Sequence, residues 1–172
     1  MQISGISEKE LQKKLRVGWF TFTCCEDSTI IMTEVMNEHW EEWKRFIDFR
    51  HARVLRTDNI LDELDVAFVE GAISSDRQAA RLKEIREKAK RLVAVGACAV
   101  IGMPSSQRNL FDESTKRAIQ FLVDRFGQKE LVRTVKELVK VDAELPGCPM
   151  NEQKFLEVLE RYLKEFNIIK GS

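Results

Sequence analysis

The sequence predicts a three-layer α/β domain built on a mostly parallel sheet. Short runs of apolar, β-branched and aromatic residues alternate with segments of helical periodicity, the pattern of successive βαβ units. One of those runs, Arg91–Val95, is apolar almost throughout, as a strand covered by helices on both faces must be. Four of the five strand-like runs then stop at Gly, Cys or Pro, where the chain leaves the sheet.

The elements follow in order. Residues 1–14 are a polar lead-in, with helical character at Ser7–Lys14. Val17–Thr23 reads as a buried strand ending at Cys24-Cys25. Asp27 or Ser28 caps the next helix, whose Ile31, Val35, Trp40 and Trp43 are spaced for one buried face. A second strand is expected from Phe46 to Leu55, and a third over Leu64–Glu70, stopped by Gly71. Ser74 or Ser75 then caps a helix reaching Lys90, with Ala79, Leu82, Ile85 and Ala89 on one face. The fourth strand runs to Val95 and ends in Gly96-Ala97-Cys98-Ala99. Pro104–Asn109 is a loop, and Asp112–Phe126 and Lys129–Leu138 carry helical patterns. Lys140–Leu145 is a fifth strand ending in Pro146-Gly147-Cys148-Pro149. The last helix, Asn151–Phe166, places Phe155, Val158, Leu159 and Tyr162 together. One flavodoxin-like domain over 15–168 and a short tail at 169–172 account for the chain.

Composition removes several classes of function. The 28 basic and 28 acidic residues cancel, so no charge excess points to nucleic acid or an anionic membrane. No apolar run is long enough to span a bilayer, and the N-terminus lacks a secretory apolar core, so a cytoplasmic location is expected. There is no Gly-x-Gly-x-x-Gly fingerprint, so a dinucleotide would bind on another subunit.

The four cysteines carry the chemistry. Cys24 and Cys25 follow the first strand, Cys98 the fourth and Cys148 the fifth. In a parallel sheet those positions meet at the carboxyl edge, where ligands of such sheets bind. Four thiolates suit a cubane iron–sulfur cluster or a tetrahedral zinc ion. Structural zinc sites use close-spaced ligand pairs, whereas three separate strand ends contribute here. Adjacent thiolates such as Cys24 and Cys25 serve different iron corners of a cluster more readily than one ion. A zinc-stabilised binding module without redox chemistry stays open as the contrasting reading, as do inert buried cysteines.

The segments Asp65–Ile73, Leu92–Ala99, Pro104 with Arg108-Asn109, and Leu145–Pro149 resemble the small subunit of cytoplasmic nickel–iron hydrogenases. They are also similar to the related 20 kDa subunit of respiratory complex I. The resemblance implies one proximal [4Fe-4S] cluster held by Cys24, Cys25, Cys98 and Cys148. It implies a hydrogenase-like large subunit carrying any nickel–iron centre, and a flavin-, NAD(P)- or ferredoxin-like subunit to exchange electrons. Glu26 matches a glutamate lying toward the active site and becomes the candidate proton relay. The chain departs from the hydrogenase pattern at Phe22, where Cys-x-x-Cys would place its first cysteine. The vicinal Cys24-Cys25 is instead the complex I pattern, which keeps a complex I-like or nickel-free module as the alternative. Met103 and Met150 replace a glycine and a proline of the family motifs. Glu70 could face the same site, and Arg108 either the site or the large subunit. His39 and His51 lack ligand spacing.

Overall fold

The computed structural model describes residues 13–170. Five strands form one sheet: β1 (Leu15–Thr21), β2 (Ile47–Ala52), β3 (Leu64–Glu70), β4 (Ala89–Val95) and β5 (Ala143–Leu145). Their order is β2-β1-β3-β4-β5, and every pairing is parallel. This is the doubly wound order expected of a flavodoxin-like domain. The helices are α1 (Asp27–Phe46), α2 (Asp76–Lys88), α3 (Gly96–Ile101), α4 (Glu113–Arg125) and α5 (Glu152–Glu165).

Alternation along the strands explains the two cores. Successive strand residues point to opposite faces. Val66 and Phe68 of β3 therefore join Trp19, Val93 and Val95 beneath α1 and α5. Ala67 and Val69 join Phe20, Leu92 and Ala94 beneath α2. Phe155 of α5 anchors the first core. Its ring meets Phe68 edge-on at 5.6 Å, Trp19 at 5.9 Å and Trp43 at 6.0 Å. Such contacts add to the burial of a large apolar surface.

Asp65 fixes the amino ends of three strands. Its side chain is 2% exposed and accepts from the Arg16 amide at 3.0 Å, Arg16 Nη2 at 3.2 Å and Lys90 Nζ at 2.8 Å. Burial alone would raise this carboxyl, but the bonds from Arg16 and Lys90 outweigh it and hold it below the usual carboxylate range.

The sequence reading departs from the structure in identifiable places. Strand β1 begins and ends two residues earlier than expected, and β5 is only three residues long. On α1 the buried stripe is Met32, Val35, Trp43 and Phe46, while Ile31 is half-buried and Trp40 is 48% exposed. Helix α2 stops at Lys88 because Ala89 already pairs with Leu64 in the sheet. No helix forms over 129–138. Val132, Val135 and Leu138 imitate a helical stripe, but the backbone there pairs with Ile73, through Ile73 N to Arg133 O at 2.8 Å and Arg133 N to Ile73 O at 2.9 Å. Asn109 also grips both backbone groups of Val132. Only a 3₁₀ turn at Val135–Glu137 remains, closed by a Thr134–Glu137 capping box. Gly96–Ala99, where the fourth strand was expected to end, opens α3. The helical character expected at Ser7–Lys14 lies outside the described residues, save Lys13 and Lys14, as do the last two residues of the tail.

Two measurements test this frame. Phe155→Ala is expected to cost about 3–5 kcal/mol, read from the urea midpoint. Asp65→Asn is expected to cost about 1.5–3 kcal/mol at neutral pH, the lower end favoured because Arg16 and Lys90 are partly solvated. A depressed carboxyl stabilises the fold above its ordinary pKa and loses that contribution as pH falls through its folded value. The gap between Asp65→Asn and the parent chain should therefore close below about pH 4.

Candidate functional site

The carboxyl edge of the sheet is assembled from three strand exits. After β1 the chain runs against the exit of β3: Phe22 N donates to Glu70 O at 2.8 Å, and Thr23 and Ala72 exchange bonds at 3.0 Å. Gly71 makes that approach possible. Its φ is +95°, and a Cβ there would lie 2.9 Å from the backbone of Phe22 and Thr23. Cys24, half-buried, and Cys25, exposed, follow this paired segment. Glu26 then turns through the left-handed region, with φ 65°, before α1 begins.

Cys98 lies in the first turn of α3, is 6% exposed, and shares a small apolar niche with Cys24, Ala72 and Val132. Ser105 joins these two exits. Its hydroxyl lies 2.8 Å from the Thr23 carbonyl and 3.2 Å from Cys98 Sγ. Cys148, exposed, follows β5. Its loop is tied to α3 by Ala97 N donating to Gly147 O at 2.7 Å, and to α1 by Met150 N donating to Ser28 Oγ at 3.2 Å. Cys25 Sγ, Cys148 Sγ and a carboxylate oxygen of Asp27 all lie within 4.8 Å of one another.

The four cysteines thus fall into two neighbourhoods, Cys24 with Cys98 and Cys25 with Cys148. This arrangement fits a cluster better than a single ion. Thiolates serving one ion converge, and here the vicinal pair diverges. The one compact group among the described residues offers only two sulfurs and an oxygen. Cys24 Sγ lies 3.9 Å from the Phe22 carbonyl, and the backbone of Glu26 and of Asp27 favours the anionic form of Cys24 and Cys25 in turn. Backbone that favours anionic sulfur suits a thiolate-held group.

Electrostatics keep the two members of the pair distinct. Burial, then the charge of Glu70, pushes the Cys24 thiol up to about 12. For Cys25 the Asp27 amide lowers the pKa, but burial, the Asp27 carboxylate and Cys148 together leave it raised. Glu70 itself is 3% exposed at the end of β3. It accepts from Ser28 N at 3.0 Å and Thr29 Oγ1 at 2.7 Å, and burial raises its pKa despite those bonds. Since Glu26, the N-cap, makes no side-chain capping bond, Glu70 caps α1 from another strand. Neither Asp27 nor Ser28 serves as the N-cap: Asp27 faces the cysteines and Ser28 serves Met150.

The remaining candidates have structural partners. Arg108 donates through Nη2 to Lys129 O at 2.6 Å, holding the loop after α4. His39 stacks on Trp43, and His51 is buried with Nδ1 at 3.2 Å from Trp19 O. Sequence reading overlooked Ser105 and the approach of Asp27 to Cys148. No local pattern marks Ser105, whose partners are distant in the chain.

Comparison with known proteins agrees with this architecture. The family model for the NADH ubiquinone oxidoreductase 20 kDa subunit matches residues 24–162. A subunit of the F420-non-reducing hydrogenase of Methanothermobacter marburgensis is 26% identical over 170 residues, covering 90% of this chain and 55% of that protein. The delta subunit of the NAD-reducing hydrogenase HoxS of Cupriavidus necator is 31% identical over 111 residues, 55% of this chain and 53% of that protein. The chain spans about half the length of these relatives. A chain of H2-reduced NAD+-reducing [NiFe]-hydrogenase superposes with TM-score 0.74 at 26% identity, covering 89% of this chain and 93% of that one. The reduced Ni-Fe-Se hydrogenase of Desulfomicrobium baculatum shares the fold, with TM-score 0.60 at 15% identity over 90% and 64% of the two chains.

Glu70→Ala strands the buried Ser28 amide and Thr29 hydroxyl, and is expected to cost about 1–3 kcal/mol in urea denaturation. Glu70→Gln, which keeps an acceptor, should cost less. Iodoacetamide at about pH 8 is expected to label Cys148 and Cys25 of the metal-free chain well before Cys24, whose thiol stays protonated, with peptide mass spectrometry as the readout.

Proposed function

This chain belongs to the family of the NADH ubiquinone oxidoreductase 20 kDa subunit, and from that premise we propose that it is the electron-transfer subunit of a hydrogenase-type oxidoreductase complex. The observation that carries the reading is the gathering of four free cysteines from three strand exits at one edge of the sheet. Cys24, Cys25, Cys98 and Cys148 would hold one [4Fe-4S] cluster. When bound, that group supplies one-electron storage and release.

The chain's own contributions are positional. The paired β1 and β3 exits set the height of Cys24, and the Glu70 cap fixes the first turn of α1 beside Cys25. The Glu26 and Asp27 backbone favours the anionic form of Cys24 and Cys25, and Ser105, which donates its proton to the Thr23 carbonyl, lies 3.2 Å from Cys98 Sγ. Glu26, exposed at the turn after Cys25, is the proposed proton relay at the rim of the site. No bond chemistry is assigned to this chain alone.

The partner reading rests on surface as well as family. Helix α4 buries only Val123, while Phe121, Phe126 and the following Leu131 are 63%, 66% and 55% exposed. Large apolar side chains left this exposed on one helix and the loop after it are consistent with an association surface. A large subunit carrying any nickel–iron centre, with a flavin-, NAD(P)- or ferredoxin-like subunit beyond it, is the proposed assembly. Its location is proposed as cytoplasmic, and no helix among the described residues is long and apolar enough to cross a membrane. A second reading, a complex I-like or nickel-free module, is favoured by the vicinal Cys24-Cys25. The proposed domain extends over 15–168, with the flanking residues outside it.

Anaerobic purification with native partners, followed by metal analysis, tests the proposal. About four irons and four sulfides assignable to this chain are expected, with nickel in the large subunit. Cys148→Ser should abolish the broad visible absorption of the chain's cluster. Iron without nickel would move the assignment to the second reading, and zinc or no metal in this chain would overturn electron transfer.

A further inference from the structure

A second cleft lies between the carboxyl ends of β1 and β2 and the first turns of α2, and shares no residue with the four cysteines. Its volume of about 680 Å³ falls in the range of small-molecule sites. Its charge is one-sided. Arg53, Arg77 and Arg81 line it and no carboxylate does, in a chain whose net charge is zero. Arg77 and Arg81 stand one turn apart on α2, on the same stripe as Ile85, and Arg53 comes from the turn after β2. Arg53 and Arg77 make no ion pair among the described residues. Arg81 pairs with Glu84 at 2.7 Å, but Glu84 is 51% exposed, and an exposed pair of this kind yields readily to a competing anion.

The wall of the cleft is flat. Phe20 and His51 stack at 4.3 Å with 27° between their planes, and half-buried Phe22 lines the same space. The amide side chains in the lining are already occupied. Asn59 Oδ1 accepts from Ala52 N at 2.8 Å, and Gln78 Oε1 from Ser74 N at 2.8 Å. The guanidinium groups and the Thr57 hydroxyl are left to recognise a ligand. The Trp19 carbonyl accepts only, so Nδ1 of neutral His51 carries the proton and Nε2 remains an acceptor. Burial, with the charges of Arg81 and Arg53 nearby, lowers the His51 pKa and keeps that neutral form.

We propose that this cleft binds a mononucleotide, with Arg53, Arg77 and Arg81 on its phosphates and the Phe20, Phe22 and His51 wall beside its ring. Guanidinium forks match phosphate oxygens two at a time, which a lysine cluster would not do. Recognition is by side chains, so it needs no Gly-rich loop and is consistent with the absence of one.

Titration calorimetry of the full chain at physiological salt tests this, with ADP, inorganic pyrophosphate and an aspartate-rich peptide as probes. ADP is expected to bind saturably at one site and more tightly than pyrophosphate. Arg77→Gln and Arg53→Gln should each weaken ADP about tenfold, with circular dichroism and urea midpoint unchanged. Absence of saturable ADP binding by the folded chain overturns the proposal, as does binding that both variants leave intact. Pyrophosphate binding as tightly as ADP removes the nucleotide assignment. Tighter retention of the peptide than of ADP makes the cleft a protein-docking surface instead.

Discussion

The carboxyl edge of this sheet depends on Glu70. A carboxylate at the end of a central strand is taken out of water and set against the first turn of α1, where it accepts from an amide and a hydroxyl. The first amides of a helix have no partners within it, and here the local N-cap supplies none. The strand therefore supplies the cap, and in doing so fixes α1 to the sheet beside Cys24 and Cys25. The same Thr29 hydroxyl accepts from Trp19 Nε1 at 2.8 Å, which carries the constraint into the aromatic core around Phe155. One polar contact thus joins the packing of the domain to the placement of its reactive edge.

Parallel topology does the rest. Crossovers return the chain to the same edge after every strand, so residues remote in sequence become neighbours there. Gly71 lets the β1 exit lie on the β3 exit, and the Ala97–Gly147 bond joins the α3 and β5 loops. Two of the four sulfurs are sheltered and two open to solvent. Under the proposed function, that asymmetry would give a bound group a buried side and an exposed side. The outward apolar face of α4 is consistent with the proposed partner subunit.

Much of the fold was legible because the signals were local. The alternation of strands and helices, the Ser75 cap, and the apolar runs of β3 and β4 survive in the structure with small shifts of boundary. The failures share a cause. Residues 129–138 satisfied a helical spacing, yet their backbone was claimed by Ile73 and Asn109. Trp40 matched the apolar stripe of α1 but lies on its solvent side, because the sheet selects one face and the helix cannot present both.

The sequence by itself determined the four cysteines, their positions at strand ends and the likeness to a redox family, since motif and periodicity are written residue by residue. It also determined the neutral overall charge. Only the tertiary structure decided that Cys24 pairs with Cys98 and Cys25 with Cys148, that Glu70 caps a helix from another strand, and that three arginines gather where no carboxylate answers them. Each of these is a relation between strand exits or neighbouring elements. Spacing in the chain carries no trace of it, because the sheet order and the crossovers set which exits meet.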